Sequence, residues 1–455
     1  GREDVRSLWT WERSAEIVAQ RLVAIAHEHA PVAVNWEGPV FTHSSLGLVN
    51  RELGAALITR GVDLALLPSE ADDFQPSPAG AYADVVRRVT HSPRRPAAVH
   101  VAHRWPPRLV APDAGAWVLM QPWEYGGLPG EWIPIIRDQV DEFWVYCNWQ
   151  RECAIESGIP AEKVVVVPIG VDPARHRPDG HRFPLKTKKR TKLLAVGGII
   201  PRKGMDLLVE TYLRTFTAAD DVCLVIKGLS ARWAYNGNPA QREFAQLPAL
   251  SRTKGGAEIE FIGDTLDDDS VASLYRACDA LVAPFRGEGF GLPIAEAMAT
   301  GLPVIVTEAG PVFDICDEQS AFLIPAGQST PDPRITALEP GRLGYWWADP
   351  DVKELARWMR HVVQHPDAAK LIGARGRERV LQRFTYAHGA DIAVARLREL
   401  AMRTPVRETG SIHHGCAGVP ARSTAAGRLS APAVVALREL EGCRARLHAR
   451  VSAGA

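Results

Sequence analysis

Glycines, a proline and two acids lie close together in ALVAPFRGEGFGLPIAEAMATGLPVIVTE, residues 280–308. The apolar run at its start predicts a buried strand, and the glycine-rich turn after it leads into a short helix. Pro293 in the first helical turn and Gly301 just past the last one are the usual punctuation of such a helix. Backbone N–H groups at a helix start, with glycines that allow close approach, can hold phosphate oxygens. We therefore expect the turn between Phe285 and Pro293 to grip a pyrophosphate through N–H groups that are open to a ligand.

Two carboxylates frame this turn, Glu288 inside it and Glu296 in the helix. A carboxylate repels a diphosphate, but its oxygens accept hydrogen bonds from hydroxyl groups. A ligand with phosphates in the middle and polyols at both ends fits this arrangement, and a nucleotide sugar is such a molecule. A nicotinamide-dependent enzyme is the weaker alternative, because Leu292 stands where G-x-G-x-x-G needs its third glycine, although Glu308 ends the following strand.

The strands and helices that must position these residues occur in two successive units with the same alternating order. Short apolar runs alternate with helical patterns from residue 31 to about residue 172, and the alternation restarts at residue 193. Strands that alternate with helices of about 10–15 residues predict a parallel sheet with both faces covered. The sequence therefore predicts an α/β protein with two parallel-sheet units, whose ligands bind at the carboxyl ends of the strands.

Composition shifts set the expected domain boundaries. An amphipathic pattern precedes the first unit, three prolines and the basic run KTKKRTK separate the units, and the last residues are rich in Ala, Arg, Ser and Gly. We expect a helical extension (1–30), a first domain (31–180), a basic linker (181–192), a second domain (193–385), a crossover helix that packs back toward the first domain (386–402) and a flexible tail (403–455).

Charge and cysteine content exclude several classes of protein. Lys+Arg and Asp+Glu both number 53, so no net charge directs the chain to nucleic acid. Seven cysteines without a C-x-x-C pair argue against a disulfide framework or a zinc cluster and indicate a reducing compartment, so we expect a cytoplasmic protein. No apolar run approaches the length of a membrane span. A peripheral contact of the basic linker or the tail with the inner membrane face is the minority alternative.

The segment GEGFGLPIAEAMATGLPVIVT, residues 287–307, resembles glycosyltransferase family 4. Further similar segments are VVVVPIGVDPARHRP, LLAVGGIIPRKGMDLL and FIGDTLDDDSVASLYRACDALVAPF, so that the resemblance covers about residues 31–400. It implies the GT-B fold, in which two Rossmann-like domains, one for the acceptor and one for the nucleotide sugar, face each other across a cleft. It also implies a retaining hexosyltransferase that moves a sugar from a nucleotide-diphosphate donor to a glycan or other hydroxyl acceptor, without an obligatory metal.

The resemblance implies roles for the residues of the turn. Glu288 would contact the hydroxyls of the donor sugar near the reacting centre, and Glu296 would bind the ribose hydroxyls. The sugar and the diphosphate would be held by the N–H groups of four consecutive residues, Gly289, Phe290, Gly291 and Leu292.

Arg202 and Lys203 lie on a predicted loop between a strand and a helix. Cations there can balance about two negative charges on a departing nucleoside diphosphate, so we count both residues, with Glu288, as catalytic. Gly198 occupies the position of an arginine that many family members use for the diphosphate, which increases the charge that Arg202 and Lys203 must carry.

The first domain offers weaker candidates. Gly38 follows a strand in a loop that the family brings close to the diphosphate, so the resemblance implies a donor contact there. The histidine that the family most often places at a strand end is not evident, and the corresponding strand here leads to Glu124, a candidate for a contact or a base at the acceptor. His100 and His103 lie near another strand end that could face the cleft, although a histidine at such a place is more often structural.

We expect no metal and no other cofactor. The acidic segment LDDDS, residues 266–270, looks like the D-x-D cluster of metal-using transferases. It precedes the helix SVASLYRACD, however, and an N-cap at Asp269 or Ser270 explains it without a metal.

Two other kinds of function stay open. One is a GT-B-fold sugar-nucleotide epimerase or a phosphorylase. The other is a non-catalytic nucleotide-sugar-binding module of a larger glycan-assembly protein, because the chain starts at Gly1 and carries an N-terminal helix outside the resemblance. The WEGP and QPWEYGGLP segments are also similar to bacterial transferases that occur as modules of longer proteins.

Overall fold

The computed structural model describes residues 11, 13–19, 21, 31–89, 96–229, 256–331 and 345–403. Within these ranges the chain forms two lobes, each built on a six-stranded parallel sheet. The two sheets confirm the predicted α/β class. Most strand residues are buried, as expected of parallel sheets that carry helices on both faces.

The first lobe has the strand order β2-β1-β3-β4-β5-β6. In chain order its described elements are β1 (Ala33–Gly38), α1 (Ser45–Thr59), β2 (Asp63–Pro68), α2 (Ala83–Val89), β3 (Val99–Ala102), β4 (Ala116–Met120), α3 (Trp132–Gln139), β5 (Glu142–Val145), α4 (Asn148–Glu156) and β6 (Val164–Val166).

The second lobe has the strand order β12-β11-β10-β7-β8-β9. Its described elements are β7 (Thr191–Gly198), α5 (Met205–Thr215), β8 (Val222–Leu229), β9 (Glu258–Ile262), α6 (Asp268–Ala277), β10 (Ala280–Ala283), α7 (Leu292–Ala299), β11 (Val304–Thr307), α8 (Val312–Ile315) and β12 (Phe322–Ile324). An antiparallel pair, β13 (Ala326–Ser329) and β14 (Trp347–Pro350), and the helices α9 (Val352–Gln364), α10 (Pro366–Arg383) and α11 (Tyr386–Met402) follow.

Helix α11 leaves the second lobe and packs against the first. Arg60 of α1 lies 2.6 Å from Asp391 and also donates to the carbonyl of Ala387. Arg396 forms a salt bridge with the buried Glu142 of β5. These contacts connect the end of the described chain to the first sheet.

The N-cap predicted for α6 is wrong by two to three residues. Asp267, not Asp269 or Ser270, precedes the helix, and its side chain accepts a hydrogen bond from the N–H of Ser270. Asp268 and Asp269 therefore lie in the first helical turn, where the positive end of the helix dipole favours acids.

The predicted extension and linker are described in part. Residues 13–19 of the amphipathic pattern are helical and exposed, Val18 included, and the C-terminal end of that pattern lies outside the described residues. Residues of the basic run lie along the second lobe: the Lys186 and Thr187 N–H groups donate to Glu260, and Lys189 donates to two carbonyls. Apart from Arg403, the predicted tail lies outside the described part of the chain. Among the described helices, none is long and apolar enough to cross a membrane.

Candidate active site

The glycine-rich turn joins β10 to α7 at the carboxyl edge of the second sheet, as the sequence predicts. Gly291 has a φ of 90°, in the left-handed region that suits glycine, and α7 begins at the next residue. Pro293 lies in the first turn of α7, and Gly301, with a φ of 76°, follows its last residues. Glycine and proline at these positions thus determine where the turn ends and where α7 starts and ends.

Three consecutive N–H groups of the turn have no hydrogen-bond partner in the part of the chain that the structure describes, those of Phe290, Gly291 and Leu292. Two neighbouring N–H groups do have a partner: Gly289 donates to Glu288 Oε1 over 3.1 Å, and Gly287 donates to the carbonyl of Arg202. At the start of a helix, three unused donors carry the partial positive charge that attracts an anion.

Glu288 forms an ion pair with Lys203. Lys203 ends the short 3₁₀ turn Pro201–Lys203 that follows β7, and Gly204 after it would bring a Cβ within 1.9 Å of the Pro284 carbonyl oxygen. That close approach brings the two loops together. Only 15% of the Lys203 side chain and 12% of the Glu288 side chain are exposed. Burial raises the pKa of Glu288, but the charges of Lys203 and Arg202 outweigh it and lower the pKa below its ordinary value.

Arg202 joins the turn to the first lobe. Its guanidinium lies 3.0 Å from Glu124 Oε1 and donates to the carbonyl of Gly287 over 3.2 Å. A Cβ on Gly287 would lie 2.7 Å from the Glu124 carbonyl oxygen, and one on Gly289 would touch Pro122. The two lobes are thus in contact here rather than separated by an open cleft, and first-lobe residues cover the glycines at the start of the turn.

Glu296 lies in α7, buried against α6. Its Oε2 accepts a hydrogen bond of 2.8 Å from the Tyr275 hydroxyl, and its Oε1 lies 3.8 Å from His176 Nε2. Burial raises the pKa of Glu296 to about 7, and the Tyr275 hydrogen bond opposes that shift. The two acids that the sequence pairs by spacing therefore have pKa values shifted in opposite directions.

The candidate residues of the first lobe, His103 and Gly38, contact other residues of the same lobe. His103 is fully buried; its Nδ1 lies 2.5 Å from Asn50 Oδ1, and its Nε2 shares a hydrogen bond with the Tyr146 hydroxyl. Burial lowers the pKa of His103 to about 3, so the imidazole is neutral near pH 7. A Cβ on Gly38 would lie 2.2 Å from the His103 carbonyl oxygen, so the close approach of two strand ends explains this glycine. The donor contact predicted for Gly38 stays a prediction.

Some residues that connect these groups are not indicated by the sequence. Tyr146 follows β5, and its ring packs edge-on against Phe290 of the turn, with the ring centroids 6.3 Å apart. Arg104 and Arg108, together with the predicted candidate His100, surround Glu37 at the end of β1. Nothing local to these residues in the sequence indicates the contacts, because each joins segments far apart in the chain.

The acidic segment that precedes α6 also joins the lobes. Asp268 lies 3.4 Å from the guanidinium of the buried Arg51 and accepts a hydrogen bond from Tyr82, both of the first lobe. Asp269 lies 3.2 Å from Arg175, which pairs with Glu52 as well. A helix cap and two ion pairs thus account for the three acids of LDDDS.

Residues 190–334 match a protein-family model described as "Glycosyl transferases group 1". They contain β7 to β12, the Arg202–Lys203 turn and the glycine-rich turn, and amount to 145 of the 455 residues. Over 240 residues the chain is 25% identical to an MMP alpha-(1->4)-mannosyltransferase of Mycolicibacterium hassiacum, covering 52% of this chain and 48% of that protein. Over 179 residues it is 32% identical to a D-inositol 3-phosphate glycosyltransferase of Actinosynnema mirum, covering 37% of this chain and 41% of that protein. The chain thus spans about half the length, or less, of these relatives.

Solved structures are similar over most of the chain. Sucrose-phosphate synthase from Thermosynechococcus elongatus superposes with a TM-score of 0.58 at 18% identity, covering 81% of this chain and 99% of that one. Anabaena Alr3699/HepE in complex with UDP-glucose gives a TM-score of 0.55 at 14% identity, covering 80% of this chain and 99% of that one. The fold is GT-B. The two parallel sheets and these neighbours confirm the predicted pair of Rossmann-like domains.

Proposed function

We propose that this chain is a hexosyltransferase that moves a sugar from a nucleotide-diphosphate donor to an acceptor hydroxyl. The observation that carries the proposal is the row of unused N–H groups at Phe290–Leu292, next to the cations Arg202 and Lys203. The family match of residues 190–334 supports it, as do relatives named as a mannosyltransferase and an inositol-phosphate glycosyltransferase. Retention at the anomeric carbon is part of the proposal and comes from the family resemblance alone.

In the proposed reaction the phosphates occupy the start of α7 and compete with the two carboxylates for the cations. Arg202 breaks its ion pair with Glu124 and binds the diphosphate. Lys203 interacts with both Glu288 and the departing diphosphate. Stabilising that charge in a site that excludes water lowers the barrier to leaving-group departure. Glu288 then accepts from hydroxyls of the donor sugar, and Glu296 from the ribose.

The proposal requires the lobes to move. Pro122 and Glu124 of the first lobe lie against the glycines of the turn, so the donor can enter only when the lobes separate there. Renewed contact of Arg202 with the first lobe would close the site around the donor. This order of events keeps water, a competing acceptor, away from the activated sugar.

The test is a transfer assay with donors labelled in the sugar. UDP-, GDP- and ADP-hexoses are incubated with the full chain and a panel of glycan, polyol and phosphopolyol acceptors, and the nucleoside diphosphate and the labelled product are quantified. We expect equal amounts of both with one donor, loss of both in Glu288→Gln, and unchanged amounts in the matched surface control Glu318→Gln. Tight donor binding without transfer to any acceptor would instead indicate a binding module. An isomerised sugar would indicate an epimerase, and sugar phosphate formed from inorganic phosphate a phosphorylase.

A further inference from the structure

Lys227 is a buried lysine near the carboxyl end of β8. It is 5% exposed, and its Nζ donates to the carbonyl of the next residue, Gly228, over 3.1 Å. No ion pair or second hydrogen bond of this ammonium group is formed within the described residues. Burial lowers its pKa, and the charge of Asp264 opposes that shift. Two of its three N–H bonds thus lack a partner, in a place with little access to water.

Lys203 of the same lobe, whose side chain is 15% exposed, differs from Lys227 because it has the Glu288 carboxylate as its counter-ion. Buried cations are normally paired, since removing a charge from water without compensation is costly. Among the described residues Lys227 forms no ion pair, and the charge of Asp264 only opposes the effect of burial on its pKa, so a partner from a bound ligand would complete this site.

The register of the sheet places Lys227 at the level of the glycine-rich turn. Lys227 lies beside Val196 of β7, and Leu194 of β7 lies beside Leu281 of β10, so Val196 is level with Ala283, the last residue before the turn. Two strand spacings separate β8 from β10, about 10 Å along the sheet edge.

The alternation of β8 gives the face on which Lys227 lies. Cys223 and Val225 belong to the core that contains Leu274 of α6 and Met298 of α7. Leu224 and Ile226 belong to the core on the other face of the sheet. Because successive side chains alternate, Lys227 lies on the α6–α7 side, the side of Glu296.

A donor on the proposed site would extend along this edge. With its diphosphate at Phe290–Leu292 and its ribose at Glu296, the base is the part of the donor that reaches toward β8. An ammonium group only donates hydrogen bonds, so it suits a base edge that presents acceptors. Guanine offers O6 and N7 and uracil offers the corresponding O4, whereas adenine and cytosine carry an amino group at that position, which leaves adenine only N7 as an acceptor on this edge.

We propose that Lys227 contacts the base of the donor and selects an oxo base, uracil or guanine, over adenine or cytosine. The proposal rests on the proposed function and adds the chemical class of the donor. Lys227 would be a specificity-determining residue, outside the set that contacts the reacting atoms.

Titration calorimetry with UDP, GDP, ADP and CDP tests this on the full chain. We expect the wild type to bind UDP or GDP at least about tenfold more tightly than ADP or CDP, since a hydrogen bond to a charged donor is worth about that factor. Lys227→Met should weaken binding of the preferred oxo nucleotide about tenfold and change ADP and CDP binding less than about threefold. Lys227→Arg, which keeps charged donors, should retain the preference, and the exposed control Lys188→Met should behave as wild type. Whichever of UDP and GDP binds with the lower Kd identifies the base of the donor.

The outcomes separate this inference from the proposed function. A wild type that binds a nucleoside diphosphate but prefers ADP or CDP, or a Lys227→Met variant that changes all four affinities equally or not at all, overturns the inference alone. A wild type that binds none of the four nucleotides overturns the proposed function and this inference with it.

Discussion

The carboxyl edges of the two sheets are built alike but use their polar groups differently. At the edge of the first sheet, His103 bonds to Asn50 and Tyr146, and Glu37 is surrounded by cations, so these polar groups satisfy one another. At the edge of the second sheet, the N–H groups of Phe290–Leu292 have no partner within the described chain, and Lys227 has no counter-ion there. The His103 and Glu37 networks of the first edge therefore fix structure, although Gln121 Oε1 and Arg104 Nε there have no partner among the residues described, while the second edge retains N–H donors that an anion can satisfy.

The largest expected effect is at the second edge. Glu288→Gln should lower turnover about 10³-fold, as removal of a group that stabilises the transition state does. The single substitution also leaves Lys203 buried without its partner, at a cost to folding of roughly 3 kcal/mol. The double variant Glu288→Gln/Lys203→Met should regain most of that stability and stay inactive, which transfer assays and urea unfolding measure together. Near-normal turnover in either variant would remove the site assignment.

Substitution at the first edge should reduce stability and leave turnover nearly unchanged. His103→Phe leaves the side chains of Asn50 and Tyr146 each short of one hydrogen bond, which should reduce the free energy of unfolding by about 2–4 kcal/mol. Turnover per folded molecule should stay within about threefold of wild type, because both ring nitrogens of the neutral, buried imidazole are already bonded, to Asn50 and Tyr146. Denaturant titration and activity at matched folded concentration measure the two quantities. A hundredfold loss of turnover at unchanged stability would instead place His103 in the reaction.

Glu296 and Glu288 should give stability opposite dependences on pH. The pKa of Glu296 is raised to about 7 from an ordinary value of 4.5, so its contribution is complete below pH 4.5 and is lost as the pH rises to about 7. The pKa of Glu288 is lowered below its ordinary value of 4.5. Its contribution to the free energy of unfolding is therefore present above pH 4.5 and is lost as the pH falls below that value.

Glu296→Gln isolates the first of these dependences. Glutamine resembles the protonated acid and cannot ionise, so the variant should gain stability relative to wild type between pH 4.5 and 7, by up to about 3 kcal/mol. Unfolding free energies measured from pH 4 to pH 8 show this gain. Curves that run parallel over the whole range would contradict the buried, partly protonated state of Glu296.

The smallest effect is expected where the two edges meet. Arg202 and Glu124 are 17% and 23% exposed, and ion pairs with such access to water contribute little, less than about 1 kcal/mol. Glu124→Gln should therefore change unfolding little and turnover less than about fivefold, with a modestly lower KM for the donor because one carboxylate no longer competes with the diphosphate for Arg202. If kcat falls a hundredfold and the decrease of kcat at low pH disappears, Glu124 is the base that activates the acceptor, and the first edge takes part in the chemistry.

The difference between the edges also explains what could be predicted from the sequence. The turn of the second lobe is determined locally, by Gly291, Pro293 and Gly301 within a few residues, and its position agrees with the prediction. Tyr275, which holds Glu296, lies 21 residues away on another helix, and no local pattern marks it.

The first-lobe network is less predictable still. Asn50 and His103 are 53 residues apart, and Arg51 and Asp268 are 217 residues apart. Such pairs depend on strand order and on how the lobes meet, so the sequence indicated candidate residues without their partners. The N-cap of α6 was misplaced for a related reason, because three neighbouring acids are equivalent by type and only the geometry selects Asp267.

The most direct test of the phosphate site follows the backbone amide resonances of Phe290, Gly291 and Leu292 in ¹⁵N-labelled, deuterated protein while UDP or GDP is added. We predict that these three resonances shift together along the binding isotherm and that the nucleoside without phosphates leaves them in place. Saturable nucleotide binding that shifts amides elsewhere, with these three unmoved, would contradict a diphosphate site at the start of α7.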